Sequence, residues 1–253
     1  MSVPYDFCAA RPKQVGLIVL QADETIEQDM RTLMPAHLKY MVSRVPSGTS
    51  VTPDTLQDMA GHLTNAARLL PRGADMACVA YACTSGTAEI GAARIKALVQ
   101  AGVQTPHVTA PVTALIAACQ HLDITRLGLL SPYIASVSDR VRSVLSASGI
   151  DVVAFASFEE AMEEKVVRIS SKSIVAAAQD LGRAEEVDAL FLSCTNLRTL
   201  DAVSTLESAR GIPVRSSNLV LSWHMAKHAD EALSPHLSFQ LLTRAATPSA
   251  SSR

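Results

Sequence analysis

Short runs of Val, Leu and Ile alternate along the chain with longer stretches whose apolar residues recur every three or four positions. Runs of the first kind suit buried strands of a parallel sheet, and stretches of the second suit helices packed on it, so the pattern predicts an α/β fold. Strands are predicted at Val15–Leu20, Met76–Tyr81, around Val108, at Leu127–Leu130, Val152–Ala156 and Ala189–Leu192, and at Val214. Helices are predicted at Thr52–Leu70, Ala88–Gln100, Val112–His121, Ala135–Ala147, Ser171–Gly182 and Leu219–Ala229. In the first of these, Leu56, Met59, Leu63, Ala67 and Leu70 share one face, and Thr52, Pro53 and Asp54 supply a cap and a first turn.

The chain also resembles itself. VGLIVL at Val15–Leu20 matches LGLLSP at Leu127–Pro132, GADMACVAYACTSGT at Gly73–Thr87 matches EVDALFLSCTNLRT at Glu186–Thr199, and TPHVTAPVTAL at Thr105–Leu115 matches IPVRSSNLVLS at Ile212–Ser222. Gly16 and Cys83 lie 67 positions apart, and Gly128 and Cys194 lie 66 apart. Three landmarks in one order predict two pseudo-symmetric halves, residues 13–120 and 121–229, each an open parallel-sheet, flavodoxin-like α/β/α unit, with the active site between them. The tails, residues 1–12 and 243–253, are polar or carry Pro and are expected to be poorly ordered.

Composition narrows the function. Of 253 residues, 48% are hydrophobic, 22 are Lys or Arg and 24 are Asp or Glu, a formal charge of −2. Without clustered positive charge, neither nucleic acid nor an anionic membrane is an expected partner. The five cysteines, Cys8, Cys78, Cys83, Cys119 and Cys194, form no CxxC pair and no finger-like cluster with histidine, so no metal site is expected. An odd number of thiols, no secretory leader and no apolar run of membrane-spanning length make the reducing cytoplasm the expected compartment.

The repeat separates the cysteines. Cys83 and Cys194 each end a central strand in the dipeptide Cys-Thr, at the strand ends where open parallel sheets gather their ligands. Two thiols flanking one ligand permit proton abstraction on one face and delivery on the other, or thiolate addition followed by elimination, with no cofactor. A helix N-terminus beside such a thiol is expected to lower its pKa. Thr84, Ser85, Thr195 and Asn196 offer hydroxyls, an amide and N–H groups at expected helix starts to a substrate carboxylate. Tyr133 and Asp23 follow the first strands of their halves and point to the same pocket. Thr84, Ser85 and Thr195 also suit helix caps, Asp23 and Asn196 suit turns, and Tyr133 suits packing. Cys8, Cys78 and Cys119 read as small buried hydrophobes, and Trp223 and His224 as packing residues.

With GLIVLQADETIE, VTPDTLQDM, YACTSGT, LSCTNLRTLDA and SPYIASVSDRV set side by side, the sequence resembles the aspartate/glutamate racemase superfamily, in the branch of maleate cis–trans isomerase and arylmalonate decarboxylase. The resemblance implies a cofactor-independent enzyme acting on a small carboxylate or amino acid, most often a homodimer or a dimer of dimers. It implies Cys83 as nucleophile, Cys194 as proton donor or opposite-face base, and Thr84, Ser85 and Tyr133 as carboxylate ligands. Arylmalonate decarboxylase has glycine at the position of Cys83, so two thiols favour a racemase or isomerase over a decarboxylase. Maleate isomerases carry asparagine where this chain has Asp23, and an ionised aspartate repels a dianion at close range; a substrate amino or other cationic group would suit it. LQADETIEQDM also resembles the ectoine-utilization A group of that branch, which implies a role in ectoine or hydroxyectoine breakdown. The alternatives are an arylmalonate-decarboxylase-like decarboxylase and a non-catalytic metabolite-binding protein.

Overall fold

In the computed structural model, which describes residues 1–8, 11–183, 187–210 and 213–234, the apolar runs form two separate four-stranded parallel sheets. The first contains β1 (Gln14–Leu20), β2 (Lys39–Val45), β3 (Met76–Ala82) and β4 (His107–Thr109) in the order β2-β1-β3-β4. The second contains β5 (Arg126–Ser131), β6 (Asp151–Ser157), β7 (Ala189–Leu192) and β8 (Val214–Ser216) in the matching order β6-β5-β7-β8. The registers match too: Gly16 pairs with Val79 across β1 and β3, and Gly128 pairs with Leu190 across β5 and β7. The inner strands are buried along nearly their whole length, which is why they read as continuous apolar runs.

Strand β2 has no counterpart in the sequence-based set. Its residues, KYMVSRV, sit on a sheet edge where only Ser43 and Val45 are buried, so polar positions mask the strand. Its equivalent β6 occupies an edge too, but VVAFA makes it legible.

Helices fill the connections: α1 (Ile26–Leu33), α2 (Pro53–Asp58), α3 (Ala60–Arg68), α4 (Thr84–Ile90), α5 (Ala92–Gln100), α6 (Pro111–His121), α7 (Ala135–Ser146), α8 (Glu163–Val166), α9 (Ser171–Leu181), α10 (Leu200–Arg210) and α11 (Ser217–His228). The predicted helix Thr52–Leu70 is two helices that break at Met59, beginning at Thr52 with a capping box to Thr55 and with Pro53 in the first turn. The predicted helix Ala88–Gln100 is likewise two, α4 and α5, divided at Gly91, whose φ of 90° no helix accommodates. Helices α1 and α10 were not anticipated.

Helix α11 belongs by repeat to the second half but packs on α6, α1 and β3 of the first, which carries its N-terminus to the junction of the sheets. Near its other end, His224 accepts or donates a hydrogen bond with Thr109 (2.7 Å) and its ring lies 4.4 Å from that of His228, so it packs as expected. The loops after β2 and β6 also meet: Val51 N–H donates to Ala161 O, Glu163 N–H donates to Thr49 O, and Ser50 bridges to Met162. Residues 1–8 form no helix or strand and are exposed; the tail expected at residues 243–253 lies outside the described residues. Among the described residues no helix is long and apolar enough to cross a membrane, and the cysteines are free. Cys78 and Cys119 are buried as expected, but Cys8 is exposed on the N-terminal segment, which forms no helix or strand, and is no core residue.

Candidate active site between the two sheets

The carboxyl ends of β1, β3, β5 and β7 converge on one small, largely enclosed cavity of about 10 Å³. Cys83, Thr84, Ser85, Asp23, Tyr133, Cys194, Thr195 and Asn196 all line it, together with Leu20, Val51, Leu56 and Glu163. The site is buried: Asp23 is 4% exposed, Glu163 5%, Cys83 6% and Cys194 3%.

Cys83 caps α4, its sulfur accepting from Gly86 N–H at 3.2 Å. The approach is close because position 86 has no side chain; a Cβ there would stand 2.9 Å from the sulfur and 2.6 Å from the Tyr81 hydroxyl. Thr84 shares a 2.8 Å hydrogen bond with Ser217 at the start of α11, and Ser85 occupies the same first turn.

Cys194 sits in a different backbone. No helix starts there, since α10 begins only at Leu200, so the expectation of N–H groups at a helix start fails in the second half. Cys194 has φ 103°, in the left-handed region that non-glycine residues avoid. Its turn is held by α11: Cys194 N–H donates to Ser217 Oγ at 3.0 Å, and Asn218 Nδ2 donates to Thr195 O at 2.9 Å. Asn218 Nδ2 donates as well to Asp29 Oδ2, at 2.7 Å. The sulfur accepts from Asn196 N–H at 3.3 Å.

Thr195 and Asn196 line the cavity, but their polar groups are already engaged. Thr195 Oγ1 donates to Ala82 O across the junction. Asn196 ties the halves together: its Oδ1 accepts from Glu24 N–H (2.9 Å), its Nδ2 donates to Ala22 O (3.3 Å) and to Glu163 Oε2 (3.0 Å), and its carbonyl accepts from the Thr25 hydroxyl.

Glu163 was not foreseen. It lies in FEEAMEEK, where neighbouring glutamates hide it, on the loop after β6. Tyr133 Oη donates to Glu163 Oε1 at 2.8 Å and lies 3.0 Å from Cys194 Sγ. A phenol has one proton; with that proton on Glu163, the Cys194 thiol is the donor to Tyr133. The result is a continuous path Cys194–Tyr133–Glu163. Ser217 and Asn218 were also missed, although Ser-Ser-Asn before an apolar stretch is an N-cap signal.

Burial dominates the electrostatics. It pushes the Cys83 thiol up to about 12 and the Cys194 thiol well above its usual value, with the Glu163 charge adding to the effect. Both thiols are therefore held protonated by their burial, which corrects the expectation of a lowered thiol pKa: the Gly86 N–H pulls Cys83 down but is outweighed. Burial likewise raises Asp23, against the N–H groups of Ile26 and Thr25 that bind its Oδ1, the Thr195 hydroxyl and the Arg44 charge, and raises Glu163, against Asn196 and Tyr133. Asp23 Oδ2 is buried with no hydrogen-bond partner. Among the described residues no His, Cys, Asp and Glu cluster could hold a metal ion.

Paired thiols at equivalent strand ends of two parallel sheets, beside buried carboxyls and a bridging tyrosine, mark an α/β protein with a cysteine-lined cavity between its two halves. Residues 15–241 match the arylmalonate decarboxylase family (Amdase), and the chain belongs to it. It is similar to a maleate isomerase of Nocardia farcinica, 27% identical over 86% of this chain and 90% of that one. Similarity to the arylmalonate decarboxylase of Bordetella bronchiseptica is 28% over 85% of this chain and 90% of that one. Among solved structures, a Nocardia farcinica maleate cis–trans isomerase bearing a cysteine-to-serine mutation and a covalently bound succinylcysteine intermediate has a TM-score of 0.78 and 25% identity, over 87% of this chain and 93% of that one. An arylmalonate decarboxylase mutant in liganded form has a TM-score of 0.77 and 27% identity, over 86% of this chain and 92% of that one.

Proposed function

We propose that the protein is a cofactor-independent isomerase or racemase of a small carboxylate or amino acid, working through Cys83 and Cys194. The observation that carries this reading is that both thiols line one closed cavity from equivalent places in the two halves. In the racemase form, the Cys194 proton passes through Tyr133 to Glu163. The Cys194 thiolate takes a proton from one face of the substrate carbon, and the Cys83 thiol delivers one to the opposite face. Moving charge from Glu163 to Cys194 answers the electrostatic difficulty of holding both as anions in one buried cavity. In the isomerase form, Cys83 gives its proton to a substrate carboxylate and adds as thiolate to the double bond while Cys194 protonates the neighbouring carbon. After rotation about the resulting single bond Cys194 takes that proton back, and Cys83 leaves and recovers its own proton. The succinylcysteine of the Nocardia farcinica enzyme supports covalent chemistry of this kind. Thr84 and Ser85 face the substrate carboxylate.

Incubation in deuterated water with maleate, aspartate, glutamate, arylmalonates and ectoine-derived amino acids tests the reading, scored by mass and chirality. Solvent deuterium should enter one of them, and Cys83→Ala and Cys194→Ala should each abolish its entry; exchange that survives both substitutions removes the mechanism. The family assignment favours one second reading, a decarboxylase in which Cys194 protonates an enediolate, and carbon dioxide release distinguishes it. A place in ectoine or hydroxyectoine breakdown rests on the resemblance of LQADETIEQDM alone.

A further inference from the structure

From the pairing of Asp23 and Glu163 at one wall of the cavity, with the second carboxylate oxygen of Asp23 left unpartnered, we infer that the site takes a substrate carrying a positively charged nitrogen beside its carboxylate, and discriminates against dicarboxylates. The inference rests on the reading that this cavity is the substrate site.

Four observations meet here. Asp23 is 4% exposed and its Oδ1 is used by the N–H groups of Thr25 and Ile26, which fixes the carboxyl. The Thr195 hydroxyl lies beside it but spends its one proton on Ala82 O, which leaves Oδ2 a buried acceptor with no donor. Such an atom is costly unless something supplies a proton or a positive charge. Glu163 stands at the same wall, joined to the Asp23 loop through Asn196, which donates to both Glu163 Oε2 and Ala22 O. Each Glu163 oxygen has one donor and keeps a free lone pair.

The cavity supplies no cation of its own. None of its lining residues is Lys, Arg or His. Arg44, behind the Asp23 loop, is spent on the carbonyls of Leu20, Gln21 and Asp23 and on an ion pair with Glu27. A dicarboxylate would add two negative charges to two buried acids in a low-dielectric space, where close like charges repel by several kcal/mol. An ammonium or amidinium instead gives Asp23 Oδ2 the donor it lacks, and its charge holds both acids ionised. The other end of such a substrate, a single carboxylate, is left for Thr84 and Ser85.

Matched probes separate these cases: maleate, and cis-4-aminobut-2-enoate, which keeps the double bond and one carboxylate but ends in an ammonium group. Calorimetric titration at mildly alkaline pH should give a Kd at least about tenfold lower for the amino acid than for maleate, and Asp23→Asn with Glu163→Gln should invert the order. The unmodified protein gives a second readout. The titratable groups facing the cavity are Asp23, Glu163, Cys83, Cys194 and Tyr133; a cation holds the two carboxyls ionised, so its binding takes up no protons, whereas a bound dicarboxylate favours their protonation and takes protons up. Repeating the titration in buffers of different ionisation heat separates the two. Maleate binding as tightly as the amino acid, proton uptake with the amino acid, or no binding of either probe at about 10 mM each overturns the inference. None of these readouts requires turnover, so a failed deuterium exchange would bear on the two-thiol mechanism alone, and an inverted ranking on this subsite alone.

Discussion

At Cys194 the backbone carries strain that the sequence does not announce. A non-glycine residue at φ 103° costs about 1–3 kcal/mol and persists only where its surroundings hold it. Here Ser217 binds its N–H and Asn218 binds the next carbonyl. The strain points the thiol at Tyr133 Oη. Two substitutions separate these contributions. Cys194→Ala removes the sulfur and keeps the strain. Cys194→Gly removes both, at an added unfolded-chain entropy of about 0.4–1 kcal/mol. Glycine should therefore give the more stable variant by about 1 kcal/mol in urea unfolding while both are equally inactive. An alanine variant as stable as the glycine variant would show that the turn is unstrained.

Among elements, α4 and α11 decide the site's geometry, and each allows a distinct prediction. Gly86 in α4 lets the backbone approach the Cys83 sulfur, and an added Cβ meets that sulfur and the Tyr81 hydroxyl well inside contact distance. Gly86→Ala should keep the fold, judged by far-ultraviolet circular dichroism, yet displace the thiol and lower kcat by at least about a hundredfold. Helix α11 is tied to α1 through Asn218 and Asp29. Burial raises the Asp29 carboxyl from 3.8 to about 6, with Asp23 and Asp201 adding to the shift and Asn218 opposing it. The folded state thus holds this proton more tightly than the unfolded chain. Its favourable contribution is complete below about 4 and is lost as pH rises to about 6. About two pKa units correspond to about 3 kcal/mol. Asp29→Asn retains an acceptor for Asn218, so it should match the parent below about pH 4 and exceed it by up to about 3 kcal/mol above about pH 6, in urea midpoints compared across that window. A constant difference at all pH values would mean that Asp29 does not titrate there.

These elements also show what the sequence makes legible. Inner strands such as β3 and β7 are buried on both faces and read directly as apolar runs; β2, half-exposed on an edge, does not. The repeat brings Cys83 and Cys194 forward because it compares equivalent positions. It misses Glu163 because that residue follows a loop whose partner strand, β2, had gone unseen. The thiols' raised pKa values come from burial at the junction of two sheets, and no local sequence pattern reports a burial that arises only when the halves meet.

For the whole molecule, the strap that joins the loops after β2 and β6 stands beside the cavity and links the two halves, a place from which it can govern the entry of ligands. Val51 N–H to Ala161 O and Glu163 N–H to Thr49 O flank Ser50 and Met162, making them a non-hydrogen-bonded antiparallel pair. Such pairs bring Cα atoms to about 4.5 Å, within the span a disulfide needs. The strap holds Val51 and Glu163 at the cavity wall, so its position also sets the site. Ser50→Cys with Met162→Cys, made in a Cys8→Ser background to remove the exposed thiol, should crosslink under mild oxidation. If the strap must part to admit substrate, the oxidised protein loses at least about tenfold in kcat/KM, and dithiothreitol restores it. Full activity in the crosslinked form would mean that substrate enters by another path, and the cleft lined by Thr25, Asp29, Arg168 and Arg198 is the next candidate route.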